Sequence, residues 1–391
     1  MVCQNYRPIS LMCSLRKLYE ICIDELIHEK ISPKLSPLQY GFKNKSSTIS
    51  NLLSSYYTIY KSLDNRAPID LISIDFSKAF DRVDFNVLLL ELSKFGLSPT
   101  FLRAINQLLI NRYQTVTIRG RSSTPLSISS GMPQGSVLSP LLFNVYLNRI
   151  FDINLNGQLS AYADDLKLIG SPQLNLQSDL DQLMIWSHNY GLDINVDKCA
   201  VLHFGKKNPN CAYSINGVCI KAVKVFRDLG VLIDVNLNFR GHLKQLQNHC
   251  FRLIGLLFRL FKSKNASLYI KFFELFILPK IDYCSALFIN NNKYSVANVE
   301  KIQRRFSKRL YIRIYHDSSV PDYDSRIKLF NLHMLRNRFA YIHILTTYKL
   351  INKLMLGPDF IHFSKRVPFR ILLPSIKTAL YNLETLSSIT F

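Results

Sequence analysis

One short run, residues 69–76 (IDLISIDF), constrains the fold of this chain more than any other stretch. It is rich in apolar and β-branched side chains and reaches a charge at Asp75. That is the profile of a strand buried on both faces, which occurs where helices cover both sides of a sheet. The run therefore predicts a central sheet with a carboxylate at the end of one of its strands.

Helices and further strands are predicted around this run. Residues 159–170 alternate weakly and contain a turn, which indicates a hairpin. Residues 139–151 read as a helix, with Ser139 as the expected N-cap and Pro140 in its first turn. Over about 170 residues helices alternate with strands, as in an α+β or α/β sheet covered by helices. The remaining helices are expected at residues 16–31, 47–63, 84–97 and 178–191, a strand at 200–205, and an edge strand at 113–120.

The second part of the chain differs in charge and in pattern. Residues 1–237 carry 24 Lys and Arg against 19 Asp and Glu, whereas residues 238–391 carry 25 against 8. From about residue 243 onward the apolar spacing is helical. We therefore place a domain boundary between residues 237 and 238. A basic, aromatic-rich region indicates a polyanionic partner, nucleic acid ahead of a membrane surface, although charge that serves solubility alone is the simpler alternative.

The cysteines and the apolar tracts argue against other classes of protein. The eight cysteines form no CxxC pair and no Cys/His cluster with zinc spacing. Because no signal peptide is visible, we expect an intracellular protein, in the nucleus or the cytoplasm, with reduced thiols. The most apolar tract, residues 268–289, is interrupted by four charged side chains, whereas a membrane span needs about 20 apolar residues in succession. No membrane partner is therefore expected.

Two adjacent carboxylates, Asp164 and Asp165, stand between apolar stretches at the turn of the predicted hairpin. If that hairpin lies beside the strand that ends at Asp75, three carboxylates converge at one edge of the sheet. Converging anions repel each other unless protons or cations lie between them, and such oxygen ligands suit Mg²⁺. Two ions about 3.5–4 Å apart can promote an in-line phosphoryl transfer. A solvated turn explains the Ala-Asp-Asp stretch at least as well, so the spacing alone leaves both interpretations open.

Several blocks of the chain, in order, resemble a known family. Residues 71–97, residues 131–148 (GMPQGSVLSPLLFNVYLN) and residues 162–165 (YADD) resemble three polymerase motifs of reverse transcriptases, and more specifically those of non-LTR (LINE-type) retrotransposons. Further blocks resemble the fingers of that family, its lysine-bearing motif after the palm hairpin, and the segments downstream; they lie at residues 5–20, 39–53, 186–206, 226–243 and 277–288.

The resemblance implies a fold and an activity. The fold would be an α+β right-hand polymerase. Its fingers and palm, with a ferredoxin-like palm sheet covered by helices, would occupy residues 1–237, and a mostly helical basic thumb and C-terminal region would occupy residues 238–391. The activity would be that of an RNA-directed DNA polymerase, which adds deoxynucleoside triphosphates (dNTPs) to the 3′-hydroxyl of a DNA primer on an RNA template.

The resemblance also implies a metal site. The carboxylates of Asp75, Asp164 and Asp165, with the backbone carbonyl of Phe76, would hold two Mg²⁺ ions, with Mn²⁺ as the alternative ion. Tyr162, just before the two acids, would help to form the floor under the primer terminus.

The same motifs imply contacts to the incoming nucleotide. Phe80 would act as an aromatic gate that excludes a ribose 2′-hydroxyl, although an ordinary core Phe is the simpler alternative. Gln134 and Gly135 would lie against the nucleotide, where a plain turn is the alternative. Lys198 would protonate or neutralise the leaving pyrophosphate, but a solvated surface lysine fits its local sequence nearly as well.

Other charged residues receive broader roles from the resemblance. Lys43 and Lys45 are candidate triphosphate contacts, and Asp81 and Asp84 are assigned to helix N-termini and to structure rather than to metal binding. In the basic region, one helix would grip the phosphates of an RNA–DNA hybrid, unless its charge only keeps it solvated. The residues expected on that basic face are Lys301, Arg304, Arg305, Lys308, Arg309 and Arg313.

The chain also departs from the family pattern. Members usually carry a long segment, often an endonuclease, before the block at residues 5–20, so we expect an N-terminally truncated copy. Nuclease activity would then come from a missing segment or another protein. The alternative function is a catalytically inactive remnant that acts at most as a nucleic-acid-binding module. An RNA-directed RNA polymerase is a weaker option, because its turn usually reads Gly-Asp-Asp and because Phe80 argues against ribonucleotides.

Overall fold

The computed structural model of the chain describes residues 10–288, 293–317 and 319–357. Contacts between residues divide the chain into two compact units, residues 1–51 with 65–223 and residues 52–64 with 224–391. Residues 224–237, which the sequence analysis placed in the first domain, thus fall in the second unit. The assignment of these parts to fingers, palm and thumb stays a prediction. The start of the predicted fingers block, residues 5–9, and the tail, 358–391, lie outside the described residues.

Helices form the larger part of the regular structure. The helices of the first unit are α1 (Ser14–Ile31), the start of α2 (Thr48–Asp64), α3 (Phe85–Lys94), α4 (Pro99–Leu109), α5 (Ser139–Leu147) and α6 (Leu176–Asn189). Those of the second unit are the rest of α2, α7 (Arg240–Leu260), α8 (Ala266–Phe272), α9 (Leu278–Asp282), α10 (Ser285–Phe288), α11 (Lys293–Tyr315), α12 (Tyr323–Leu329) and α13 (Leu335–Ile351).

A five-stranded sheet runs through the described part of the first unit. Its strands are β1 (Ile69–Ile74), β2 (Gln158–Tyr162), β3 (Asp165–Gly170), β4 (Ala200–Phe204) and β5 (Lys221–Ala222), in the spatial order β5–β4–β1–β3–β2. β1 lies between β3 and β4 and is antiparallel to both, β2 and β3 form the predicted hairpin, and β5 runs parallel to β4. Together with the helices around it, this sheet confirms the prediction of an α+β chain.

The central strand β1 is buried as its sequence predicts, although it carries a charge. Asp70 is fully buried in this strand. Its carboxylate is bonded to Nδ1 of His203 at 2.8 Å and accepts hydrogen bonds from the Asn208 amide at 2.8 Å and the Tyr213 hydroxyl at 2.7 Å. Burial, followed by this bond to Asp70, raises the pKa of the Tyr213 hydroxyl. The three partners replace water around the carboxylate, so Asp70 does not interrupt the strand.

The core of the first unit packs helices against the sheet. It joins apolar side chains of α1, α3, α4, α5 and α6 to those of the strands. α5 is buried along most of its length, from Ser139 to Leu147, because its sequence is apolar on all sides. This packing fixes the ends of β1 and of the β2–β3 hairpin, where the predicted site residues lie.

Two local predictions differ from the structure, and one helix was missed. Residues 113–120 do not form an edge strand of the sheet: Arg112–Gln114 pairs with Leu126–Ile128, and Thr117–Ile118 pairs with Arg121–Ser122. Leu138, not Ser139, is the N-cap of α5, because the Ser139 hydroxyl donates to the carbonyl of Pro133 instead. The helix α4 was not predicted.

The second unit is mainly helical in its described residues and contains the hairpin β6 (Val225–Asp228) and β7 (Val231–Asp234). α7 and α11 pack side by side, and the Arg313 guanidinium of α11 donates to the carbonyl of Phe258 in α7 at 2.7 Å. The predicted apolar face of α11, namely Val299, Ile302, Phe306 and Leu310, is buried. None of the helices in the described part of the chain combines the length and apolar character needed to cross a bilayer.

Candidate polymerase active site

The register of the sheet brings Asp75 next to the acidic hairpin. Ile74, the last residue of β1, pairs with Leu166 of β3 in an antiparallel ladder. Asp75 directly follows Ile74, and Asp165, the first residue of β3, directly precedes Leu166, so the two acids are the next residues beyond the last pair of this ladder. Although 89 residues separate Asp75 from Asp164 in the sequence, the fold sets the end of β1 beside the turn that carries the two acids.

The turn between β2 and β3 contains Ala163 and Asp164. Tyr162 and Asp165 close it as the last pair of the hairpin. Ala163 has a φ of 55°, in the left-handed region that costs a residue with a side chain about 1–2 kcal/mol. Asp164 is half-buried and Asp165 is exposed. The turn therefore holds the two acids in a backbone conformation that its surroundings must stabilise.

Lys198 lies beside Asp75. Its amine is 3.3 Å from Oδ2 of Asp75, with Lys198 65% and Asp75 28% exposed. This carboxylate oxygen is itself buried and accepts no hydrogen bond, so the pair is an ion pair without hydrogen-bond geometry. The carbonyl of Asp75 accepts from the Asn195 amide at 2.8 Å, which ties the end of β1 to the segment that carries Lys198. Burial, with a further contribution from the Asp75 charge, raises the pKa of the neighbouring Cys199 thiol.

The donor chemistry at this edge fits a hard divalent cation in part. The buried, unbonded Oδ2 of Asp75 offers a charged oxygen that a cation could take. However, across residues 10–288, 293–317 and 319–357 no group of three or more His, Cys, Asp or Glu side chains is arranged so that it could hold a metal ion.

Phe80 lies at the border of the core. Its ring stacks on buried Phe143 at a centroid distance of 4.1 Å and meets Phe42 edge-on at 6.3 Å. One side of Phe80 is thus held rigidly, while the residue as a whole is half-buried. The arrangement is compatible with both the gate and the core residue that the sequence left open. Phe76, the other aromatic residue of the motif, is buried, and the centroid of its ring lies 6.4 Å from that of the Trp186 ring.

The loop of residues 131–137, which contains Gln134 and Gly135, is held along its length. The Gln134 side-chain amide donates to Asp81 at 3.2 Å, and its backbone carbonyl accepts from the Ser10 amide at 3.0 Å. Gly135 is exposed and has a φ of 109°, a conformation that favours glycine. The loop therefore presents an exposed backbone at Gly135, but the amide of Gln134 already has a protein partner.

Two charged residues, one buried and one half-buried, anchor the ends of this loop. Glu20 of α1, 1% exposed, accepts from the Ser136 hydroxyl at 2.7 Å and the Val137 amide at 2.8 Å. Arg112 donates to the carbonyl of Gly131 at 2.7 Å, and burial is the main cause that lowers its pKa to about 10. Sequence reasoning assigned no role to either residue, because a charge in an amphipathic helix or a short strand is usually solvated.

The charged residues to which the resemblance gave broader roles differ in their contacts. The Lys43 amine donates to the carbonyls of Leu35 and Ser36, at 3.1 and 2.8 Å, and burial lowers its pKa. Lys45 is exposed. Asp84 caps α3 by accepting from two amides of its first turn, which confirms its expected structural role at a helix N-terminus. Asp81 binds Gln134, so it too has a structural partner.

Gln39 is the clearest site residue that sequence reasoning missed. It is 1% exposed, and its side chain binds both the amide and the carbonyl of Ala163 in the acidic turn. Gln39 stands within the predicted fingers block at residues 39–53, but nothing local in the sequence connects it to a turn 124 residues away.

Comparison with known proteins gives the family of the chain. The family described as "Reverse transcriptase (RNA-dependent DNA polymerase)" matches the chain over residues 2–257. This match covers more than half of the chain and therefore defines its class. The chain belongs to the reverse transcriptase family, and the resemblance to polymerases of non-LTR retrotransposons is confirmed. Reverse transcriptase domains generally use divalent metal ions.

Curated relatives come from mobile elements. An RNA-directed DNA polymerase from mobile element jockey of Drosophila funebris is 27% identical over 83% of this chain and 38% of its own length. The jockey polymerase of Drosophila melanogaster is 30% identical over 62% of this chain and 28% of its own length. A Pol polyprotein from the retrotransposable element R2 of Popillia japonica is 25% identical over 47% of this chain and 34% of its own length. The chain thus spans less than two-fifths of the jockey relatives.

Solved structures of telomerases are also similar to the chain. The apo telomerase of Candida tropicalis matches 89% of this chain and 61% of its own, with a TM-score of 0.43 and 12% identity. The Candida albicans telomerase in complex with an RNA fragment matches 96% of this chain and 57% of its own, with a TM-score of 0.37 and 13% identity.

Proposed function

We propose that this chain catalyses RNA-directed DNA synthesis, adding dNTPs to the 3′-hydroxyl of a DNA primer paired with an RNA template. The observation that carries the proposal is the pairing of Ile74 with Leu166, because Asp75 directly follows Ile74 and the turn with Asp164 and Asp165 directly precedes Leu166. An edge that unites carboxylates from two motifs of the matched family is the feature that nucleotidyl transfer requires.

The cation site follows from the same residues. Asp75, Asp164 and Asp165, with the carbonyl of Phe76, would hold divalent cations, which we infer to be two Mg²⁺ ions with Mn²⁺ as the alternative. When bound, these ions would activate the primer hydroxyl and stabilise charge on the leaving pyrophosphate. The buried and unbonded Oδ2 of Asp75 supports this assignment.

Lys198 is proposed as the general acid. Its amine is already 3.3 Å from Oδ2 of Asp75 and remains largely exposed, so it can move toward a bound triphosphate. Protonation of the leaving pyrophosphate by such a group contributes about 10²–10⁴-fold to a rate. The ion pair with Asp75 holds the amine beside the end of β1 until the phosphates arrive.

The nucleotide would be held by aromatic and loop residues. Phe80, fixed on one side by Phe143, would lie under the sugar and exclude a 2′-hydroxyl. Gly135 allows close approach of the loop backbone, and Gln134 would exchange its bond to Asp81 for a bond to the nucleotide. Tyr162, at the end of β2, would support the primer terminus.

The second unit offers a surface for a nucleic-acid backbone. Five of the six predicted basic residues of α11 are exposed, while Arg313 is half-buried. Arg304 and Arg305 lie over the rings of Tyr323 and Phe251, at 4.1 and 4.3 Å, which holds their charges in place. The same unit has a cavity of about 530 Å³, lined by Gly255, Phe258, Arg259, Arg309, Ile312, Arg313 and His316, with no acidic residue among them. Fixed cations suit recognition of phosphates without regard to base sequence.

Primer extension on an oligo(dT)-primed RNA template tests the proposal. The purified full chain with Mg²⁺ and dNTPs should extend the primer, and Asp164→Ala should abolish extension while RNA binding is retained. Asp152→Ala is the matched control, since Asp152 is an acid of the same unit that pairs with Arg149 away from the hairpin. Extension that survives Asp164→Ala would refute the metal assignment.

A second candidate is a nucleic-acid-binding module without catalysis. It is favoured by the absence, within the described residues, of any three-residue group that could hold a metal ion. In that case the full chain would bind RNA with strong salt dependence, and neither Mg²⁺ nor Mn²⁺ would support extension.

A further inference from the structure

The buried side chain of Gln39 holds both sides of a single residue in the acidic turn. Its Oε1 accepts from the Ala163 amide at 3.0 Å and from the Gly41 amide at 2.8 Å. Its Nε2 donates to the Ala163 carbonyl at 3.2 Å. All these atoms belong to the first unit. A primary amide is the group that can accept and donate in this way at once.

Ala163, the residue that Gln39 holds, has a strained backbone conformation. Ala163 has a φ of 55°, whereas an alanine normally avoids the left-handed region. A strained residue persists where its surroundings over-determine it, and such residues cluster at functional sites. Here the bonds from Gln39 act directly on the peptide groups on both sides of Ala163, next to Asp164.

The segment that carries Gln39 is itself fixed against β2. Tyr40 donates its amide to Ala161 at 2.8 Å, and Ala161 donates to Leu38 at 2.9 Å. A Cβ added at Gly41 would lie 2.4 Å from the Ala163 nitrogen, so the two backbones are in close contact. The Asn144 side chain of α5 also donates to the carbonyl of Gly41 at 2.8 Å. Gln39 therefore works from a rigid support.

We propose that Gln39 is a positioning residue for polymerisation, which holds the turn so that Asp164 and Asp165 face Asp75 in the geometry that cations require. The inference rests on the proposed function and deepens it, because it assigns the shape of the cation site to a residue outside that site. Gln39 touches neither substrate nor cation and acts through the backbone of Ala163.

The test compares Gln39→Leu with a matched buried glutamine. Gln303, 2% exposed in the second unit, donates to the His333 carbonyl and accepts from the Tyr323 hydroxyl. Gln39→Leu should lower kcat by about 10–100-fold, since small displacements of reacting groups have effects of that order. It should also raise several-fold the Mg²⁺ concentration that gives half-maximal rate. Gln303→Leu should lower the Tm without changing the Mg²⁺ dependence.

Hydrogen–deuterium exchange supplies a readout that needs no activity. The Ala163 amide should exchange faster in Gln39→Leu than in the wild type, and Gln303→Leu should not alter it. If the wild type makes no DNA, the proposed polymerase function fails, while exchange at Ala163 still decides whether Gln39 holds the turn.

A second variant covers a failure to fold. Gln39→Met keeps the length of the side chain without its amide and without a buried charge, so it should shift Ala163 exchange and the Mg²⁺ dependence in the same direction as Gln39→Leu. The proposal is overturned if a folded Gln39 variant leaves both Ala163 exchange and the Mg²⁺ dependence unchanged. It is also overturned if Gln303→Leu shifts the Mg²⁺ dependence equally.

Discussion

The amine of Lys198 lies 3.3 Å from Oδ2 of Asp75, so the expected general acid and one expected metal ligand are already an ion pair. The two residues come from different motifs, 123 positions apart in the sequence. The pair joins the end of β1 to the turn of Val196–Lys198, and the Asn195 amide bond to Asp75 strengthens the same connection. We therefore propose that Lys198 pairs with the carboxylate before substrate binds and with the pyrophosphate afterwards.

Variants of Lys198 distinguish proton transfer by this side chain from simple neutralisation of charge. Lys198→Ala should lower the rate of single-nucleotide incorporation by about 100-fold, within the range for removal of a general acid. Lys198→Arg should be nearly as slow, because a guanidinium keeps its proton at any working pH. Rapid-quench measurement at saturating dNTP gives these rates. Lys206→Ala, at an exposed lysine after β4, is the control. A fast Lys198→Arg enzyme would mean that Lys198 only neutralises charge.

Glu20→Gln should weaken nucleotide binding through the loop at residues 131–137. The Ser136 hydroxyl and the Val137 amide both donate to the Glu20 carboxylate. The NH₂ group of a glutamine is itself a donor, so one of these hydrogen bonds would be lost. A hydrogen bond to a charged group is worth about 1.5–3 kcal/mol. We expect the KM for dNTP to rise about tenfold with a smaller change in kcat, as steady-state extension can measure.

The control for Glu20 is another carboxylate of equal burial. Glu91, also 1% exposed, binds Lys94, Arg149 and Tyr190 but not the loop. Glu91→Gln should lower the Tm and leave the KM for dNTP unchanged. Similar KM values for the two variants would show that buried charge, not the bonds to the loop, determines the effect.

Phe80→Val tests the proposed gate. Removal of the ring should increase incorporation of ribonucleotides relative to deoxynucleotides by tenfold or more, on the order of 1.4 kcal/mol of discrimination. Without its stacking on Phe143 the protein should also be less stable by about 1–3 kcal/mol. Competition between rNTP and dNTP on one template position gives the ratio. Phe151→Val, at another half-buried aromatic residue packed on the core, should lower stability without changing the ratio.

The basic face of α11 should appear in the salt dependence of RNA binding. Lys301 and Lys308 are exposed, and Gln at both positions should reduce the slope of log K against log salt by about 0.7–0.9 for each phosphate that is no longer neutralised. Fluorescence anisotropy at several salt concentrations measures the slope. The double variant Lys206→Gln with Lys207→Gln has the same change in net charge outside α11. An equal decrease in slope there would indicate a general effect of charge.

The regular spacing of apolar residues made most helices and strands predictable. The same spacing gave no information on hydrogen bonds between polar residues that are distant in the sequence. The helices α1, α2, α3 and α6 and the hairpin β2–β3 follow from local apolar spacing. α4 was missed because a proline shortly after a helix is a typical stop signal, whereas Pro99 stands in the first turn of a new helix whose N-cap is Ser98.

The same distinction between local and long-range features applies to the candidate site. That β1 ends beside the β2–β3 turn could be predicted, because strand ends and turns are local signals and the order of the family motifs suggested that the two are neighbours. The bonds of Gln39 and Glu20 could not be predicted. Each is a polar residue whose burial depends on a partner more than 100 positions away, and a single sequence carries no signal for such a pair.

His242 should make the second unit sensitive to acid. Burial, followed by the nearby Arg227 charge, lowers the pKa of His242 to about 4, below its usual value of 6.5. Its Nδ1 accepts from the Leu232 amide at 3.3 Å, and its ring packs on Phe288. The unfolded chain therefore binds this proton at a higher pH than the folded chain. The His242 contribution to stability is present above pH 6.5 and is lost as pH falls toward 4, by at most about 3 kcal/mol.

Urea unfolding between pH 4 and 7 should show a flatter pH dependence for His242→Gln than for the wild type. Replacement of exposed His188 by Gln should preserve the wild-type slope, and an unchanged slope in His242→Gln would refute the assignment.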